Sequence, residues 1–489
     1  MKTRRVCSLG MCFFVCSLLV AGIGGEHILA QQTTSSRSLL QGESYLFLII
    51  APTALKEDFE PLQQHKEEKG IATKIVDLTE IEDGSYFPVE GRDAAEKIKY
   101  FIKHAKEEWS IRYVMLVGGK DEMPVRYSHC YNLGNALAGT DLSSFPFPGH
   151  SPYMNEENTF ISDLYYADLY DADGRFCSWD SNNNSLFGEV GETDVIDEVD
   201  LYPDVFVGRL LCSDSDEVKR IITKIINYEN NVSGQAWLDT VLLCGGDTHS
   251  GLSEELLYMM MLLSLGQSCR IAWEGEYLCE QVATLLDEYH VVKCYASGIL
   301  QPSCQRLTVN TINSALNEGC RFFLYCGHGF GSCFATHPPF CRRIWVPFPS
   351  MYTTGDISSL RNKEKVSVAV FNACHCGNFD DLSDPIAWEF VNYPEGGTIG
   401  SLACTTVSYC SLTSFTSETY AGHLTKGFFE HYVEGTDVLG DLWGQCIEGY
   451  LEDDQAWLTL HPSLFWLHYL TLEEWILFGD PTLKIGGYE

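Results

Sequence analysis

Short apolar, β-branched runs alternate with amphipathic stretches of helical period along most of the chain. This alternation restricts the fold more than any other feature. It is the pattern of α/β layering around a mostly parallel sheet, because each parallel strand needs a crossover long enough to hold a helix. Strands are expected at Tyr45–Ala51, Ala72–Asp77 and Arg112–Gly118, with a helix over Arg92–Trp109. A second block opens near Gln235, with strands at Thr240–Cys244, His290–Tyr295, Arg321–Tyr325, Val366–Phe371 and Gly397–Leu402. Helices are expected around Glu254–Leu265, Leu307–Asn317, Pro385–Asn392 and Ser417–Tyr432, and a helix over Asp214–Asn231 joins the blocks. At 489 residues the chain exceeds the ~250–300 that one core usually accommodates. Two adjacent α/β subdomains, 44–234 and 235–489, are therefore expected.

The beginning of the chain concerns the compartment. Lys2, Arg4 and Arg5 precede an apolar run from Val6 to Gly25, and the small Ala30 closes the stretch before Gln31. This reads as a secretory signal over 1–30, with an uncleaved anchor as the alternative, followed by a polar linker over 31–43. No later segment reads as membrane-spanning, since Leu464–Leu477 is interrupted by His468, Glu473 and Glu474. A secreted or cell-surface location follows. Of 20 cysteines, Cys7, Cys12 and Cys16 lie in the leader and an odd number remains. At least one thiol outside the leader is then left without an intramolecular partner.

Charge excludes one class of partner. A formal net charge of −35 repels phosphate backbones, so nucleic acid is not an expected partner. Part of that charge sits in a polar insertion, 163–204. There Asp171, Asp173, Asp180, Asn182, Asn184 and Glu189 offer the hard oxygens that Ca²⁺ prefers, and Gly174 allows a sharp turn. A structural Ca²⁺ site and a merely solvated acidic loop both fit this composition.

Chemistry is concentrated at two strand ends. In Phe322–Gly329 a buried strand runs into His328 between Gly327 and Gly329, and in Val368–Phe379 a comparable strand delivers Cys374 into a turn containing Gly377. Ligands and catalytic groups gather at the carboxyl ends of parallel strands, so both residues are expected at one rim. An imidazole there can activate a thiol or protonate a leaving group. The Gly329 and Cys374 amides are candidate oxyanion donors. His337, His375 and Asn372 lie close by and receive no catalytic role.

Strand-Gly-His-Gly followed by strand-Ala-Cys-x-x-Gly-x-Phe resembles the catalytic core of the gingipain-type cysteine peptidases, relatives of caspases and legumains. Asp163–Asp168, Phe187–Glu189, Pro203–Arg209 and Phe478–Leu483 resemble other landmarks of that family in the same order, over about residues 44 to 487. The resemblance implies a caspase-like fold and a Cys374–His328 dyad: Cys374 attacks the scissile carbonyl, His328 protonates the departing amine, and water hydrolyses the acyl-enzyme. It implies polypeptide substrates and no cofactor for the chemistry. An acid that orients the imidazole is expected at Asp247, with a turn or N-cap role before Ser250–Leu256 as the alternative. Arginine-specific members place an acid in the primary pocket where His249–Glu255 here aligns Gly or Leu. Specificity therefore stays open, with Ala403–Cys410 as a pocket wall.

Three rival readings remain at this point. Cys326, His328, Cys374 and Cys376 form a Cys₃His set that zinc accepts, although single-residue spacings are short for zinc. Cys374 and Cys376 could form a redox pair, at the cost of strain. An acyl-enzyme resolved by an amine would make the protein a transpeptidase or sortase-like processing enzyme of the same fold.

Overall fold

The computed structural model describes residues 44–131, 158–191, 195–248, 273–299, 304–380, 384–411, 413–460 and 465–489. The leader, the linker and the helix expected at Glu254–Leu265 lie outside them. In chain order the strands are β1 Phe47–Ala51, β2 Thr73–Asp77, β3 Tyr113–Val117, β4 Tyr127–Cys130, β5 Thr159–Ile161, β6 Phe187–Val190 and β7 Phe206–Leu210. They continue as β8 Thr240–Gly245, β9 His290–Tyr295, β10 Gln305–Arg306, β11 Phe322–Cys326, β12 His328–Phe330, β13 Cys333–Ala335, β14 Tyr352–Thr353, β15 Ser367–Asn372, β16 Thr398–Cys404 and β17 Trp475–Phe478.

Eleven of these form one sheet in the order β10-β9-β8-β11-β15-β16-β17-β7-β3-β1-β2. All its pairings are parallel except β16 with β17. The N-terminal block supplies one half of the sheet and the C-terminal block the other. The four-residue β17 lies between them, pairing Ser401–Cys404 of β16 with Phe478–Trp475 and meeting β7 at Phe478↔Arg209. β1, β3, β11, β15 and β16 are buried along their whole length, which is why they read as unbroken apolar runs rather than alternating ones.

The crossover helices start where the sequence supplies an oxygen. Asp93 accepts the Glu96 N–H at 2.8 Å ahead of the helix Ala94–Trp109, and Asp214 accepts the Glu217 N–H at 2.9 Å ahead of the helix Ser215–Asn231. Their apolar faces, including Ile98, Phe101, Ile102, Ile221, Ile222 and Ile225, join the core of the sheet. Two three-stranded sheets sit outside it, β5-β4-β6 and β12-β13-β14. The first abuts the main sheet through a buried ion pair, in which Arg209 of β7 donates two 2.7 Å hydrogen bonds to Asp163. Among the described residues no helix is long and apolar enough to cross a membrane.

Candidate active site

The site grows out of two adjacent parallel strands. β11 and β15 pair in register from Phe322↔Val368 to Cys326↔Asn372. The Gly327 N–H donates to the Asn372 carbonyl at 3.1 Å, which carries the pairing past the end of β11. His328 and Cys374 follow Cys326 and Asn372 at the same interval, so both leave the sheet at one carboxyl rim. Only glycine fits beside the histidine. A Cβ on Gly329 would stand 2.5 Å from the Cys374 carbonyl oxygen, 2.5 Å from Cys376 Sγ and 2.9 Å from Ala373 Cβ. The backbone after His328 thus lies directly against the Cys374 turn.

His328 opens the hairpin β12–β13, opposite Ala335. Its Nε2 lies 2.8 Å from the Thr248 carbonyl. A carbonyl only accepts, so Nε2 is the protonated, donating nitrogen of this contact. The ring packs edge-on against Trp345 and His337, at centroid distances of 5.5 and 5.7 Å. His337 is buried; its Nδ1 donates to the Ile344 carbonyl at 2.8 Å and its ring lies 3.9 Å from that of Trp345. Burial holds its pKa below the ordinary histidine value.

Asp247 is buried at the end of the loop leaving β8. Its N–H donates to the His337 carbonyl at 3.0 Å, and its Oδ2 accepts a long 3.4 Å bond from the Phe340 N–H. The next residue, Thr248, supplies the carbonyl that holds the imidazole. Asp247 therefore anchors the 337–340 segment and the root of the Thr248 contact.

Cys374 is half-buried, and its sulfur sits in a main-chain cradle. Sγ donates to the Ser408 carbonyl at 3.5 Å, and the Ser408 N–H points back at the sulfur at 3.4 Å. Two more bonds tie the turn to the same segment, His375 N–H to the Thr406 carbonyl and Gly377 N–H to the Cys404 carbonyl, both 2.8 Å. Desolvation pushes the thiol up to about 12, against the pull of the Ser408 N–H. The resting group is a thiol. His375 points away: its buried ring faces Phe330, and burial lowers its pKa to about 4.

The Cys₃His set does not converge. Cys326 lies against Cys279, Cys376 against Gly329, Cys374 against Ser408, and His328 Nε2 against Thr248. Among the described residues no three His, Cys, Asp or Glu side chains gather as metal ligands. The six oxygen ligands expected in the insertion fall into two sets. Asp171 and Asp173 both pair with Arg175. Asp180 pairs with Arg92 and accepts the Asn184 N–H, while the side chains of Asn182 and Asn184 donate to Glu189 at 2.9 and 2.6 Å. These oxygens already accept hydrogen bonds, and the charges of three of the four carboxylates are met by arginines, so this donor set is a poor fit to an unshared Ca²⁺ cage.

Comparison with known proteins bears on the family and the fold. The family model Peptidase family C25 matches residues 41–486. Gingipain R2 of Porphyromonas gingivalis is 23% identical over 344 residues, which cover 69% of this chain and 33% of that protein. A Lys-gingipain of the same organism is 24% identical over 211 residues, 43% of this chain and 10% of that protein. The chain thus spans a third or less of the length of these relatives. The crystal structure of the Arg specific cysteine proteinase gingipain R superposes with a TM-score of 0.58 at 18% identity, over 91% of this chain and 79% of that one. The complex of the Porphyromonas gingivalis pro- and mature domains superposes at 0.57 and 18% identity, covering 90% and 79%. Since the family model runs through both halves of the sheet and both strand ends that carry His328 and Cys374, the chain belongs to peptidase family C25.

Proposed function

We propose that the protein is an exported cysteine endopeptidase in which Cys374 is the nucleophile and His328 the proton carrier. One observation supports the reading: β11 and β15 pair in register up to two residues before His328 and Cys374, and the Gly329 backbone packs on the Cys374 turn. In this reading Nε2 stays on the Thr248 carbonyl and Nδ1 is the nitrogen that moves protons. Sγ attacks the scissile carbonyl carbon while its proton passes to Nδ1; the C–S bond forms as the carbonyl opens to an oxyanion. The Gly329 and Cys374 amides are the proposed donors to that oxyanion. On collapse the C–N bond breaks and the imidazolium returns its proton to the amine. Water then repeats the sequence on the thioester and restores the thiol. Asp247 acts by fixing Thr248, and so the imidazole. The basic Lys2–Arg5 stretch before an apolar run supports export to the cell surface or beyond.

Cys374→Ala is expected to abolish cleavage of a diverse peptide library while leaving the far-UV spectrum intact; retained cleavage would reject the nucleophile. His328→Ala is expected to lower kcat by about 10² to 10⁴, the usual contribution of positioned proton transfer. Mass analysis of the products shows whether water or an added amine resolves the acyl-enzyme.

A further inference from the structure

Glu474 joins the helix Phe465–Glu473 to β17 and is completely buried. Among the described residues no lysine or arginine acts on its carboxyl, and the polar groups beside it are the Ser408 hydroxyl and the Cys404 thiol. Neither carboxyl oxygen has a well-aligned hydrogen bond, and the Ser408 hydroxyl is also buried without one. A carboxylate in such a place costs several kcal/mol by the usual penalty for an unpaired buried ion, whereas a neutral acid has one O–H to donate. Burial accordingly drives this group well above its ordinary range.

Glu474 also holds the root of the segment that cradles Cys374. Its carbonyl accepts the Thr405 N–H at 2.8 Å and the Thr405 hydroxyl at 3.1 Å, while its own N–H caps the preceding helix on the Leu470 carbonyl at 3.0 Å. From Thr405 the segment runs to Thr406, which receives the His375 N–H, and to Ser408, whose N–H and carbonyl embrace Sγ. Main chain and side chain of one residue thus meet the segment that cradles the sulfur.

We propose that Glu474, as a neutral carboxylic acid donating to the Ser408 hydroxyl, is a positioning residue that fixes the Ser408 main chain against the Cys374 sulfur. The inference rests on the reading of Cys374 as the nucleophile. Neutrality is part of the role: a negative charge here would oppose formation of the thiolate, as the electrostatic influence of Glu474 on Cys374 indicates.

The test uses the full chain carrying Glu474→Gln or Glu474→Leu, with kcat and KM on a peptide substrate and the rate of Cys374 alkylation by iodoacetamide, mapped by mass spectrometry, from pH 6 to 10. Glu474→Gln keeps a neutral donor of the same shape and is expected to hold both rates within about threefold of the parent. Glu474→Leu removes the donor and should lower kcat by about tenfold, the worth of one buried hydrogen bond, with KM within about twofold. Its alkylation rate should fall across the pH range.

Three results would overturn the proposal. If Glu474→Gln alkylates about tenfold faster than the parent, the group is ionised. If Glu474→Leu keeps the parental kcat and alkylation profile, its role is structural. If both variants lose activity equally while folded, a neutral donor does not suffice. Cys374→Ala distinguishes the two levels: should it retain activity, the functional reading falls, and should it be inactive while Glu474→Leu behaves as the parent, only this inference falls.

Discussion

At the scale of single residues, the site depends on what is absent at position 329. A methyl group there would meet the Cys374 carbonyl and Cys376 Sγ at 2.5 Å, well inside contact distance, so either the hairpin or the Cys374 turn must shift. Gly329→Ala is expected to lower kcat by about 10² or more, since small displacements of reacting groups are costly. A parental kcat would show that the two backbones can part without consequence. The thiol supplies a pH prediction. Its pKa is raised to about 12, so the thiolate fraction of the free protein grows with each unit of pH through the neutral and alkaline range. Alkylation of Cys374 should therefore rise from pH 7 to pH 10 with no plateau; a plateau below pH 9 would indicate a preformed ion pair with His328. His328 and Cys374 stand out as candidates in the sequence because a strand that ends in Gly-His-Gly or Ala-Cys breaks an apolar run with reactive groups. Thr248 and Ser408 do not, because they act through main-chain atoms that every residue possesses. Ser408 stood out only as part of a pocket wall.

Among the elements, a buried charge cluster joins the first helix to the final turn. Lys66 Nζ lies 2.8 Å from Glu229 and 2.7 Å from Asp480, and His65 Nε2 lies 2.8 Å from Glu229, all buried. Lys66→Met leaves two carboxylates without their cation and is expected to cost about 3–5 kcal/mol in urea unfolding. Although burial works against it, Lys66 and His65 hold Glu229 below its ordinary value of 4.5. The stabilisation this provides is complete above that value and is lost as the pH falls through the folded pKa, so the parent should lose more stability on acidification than Lys66→Met does. Most parallel strands were legible to within a residue or two because burial on both faces gives unbroken apolar runs. β17 was not. Only Glu474 separates Trp475–Phe478 from the helix before it, with no Gly, Pro, Asn or Asp to mark the turn, so periodicity cannot separate the four-residue strand from that apolar helix. Four of the six strands in the two small sheets are shorter still.

For the whole molecule, the acid excess concerns calcium. The arginine pairs at Asp171, Asp173 and Asp180 already meet much of the insertion's charge, so a chelator is expected to leave the melting temperature within about 1 °C, as linkage requires when no ion is bound preferentially by the folded state. A larger fall would mean that the Asp180–Glu189 loop takes an ion with help from groups outside that set. Among the described cysteines, Cys304, Cys341, Cys374 and Cys410 are the ones not fully buried. Within the described residues, native alkylation should reach Cys341 and Cys374 before the buried cysteines.

The position of β17 also bears on how the protein is made. Residues 475–478 follow every one of their sheet partners in the chain, yet they lie between β16 and β7. As the polypeptide emerges from the ribosome, two partial sheets form with raw edges, and neither edge is covered until this late strand arrives. Until then the nascent protein carries two apolar borders open to stray pairing, and a chain ending before Trp475 would keep them for good.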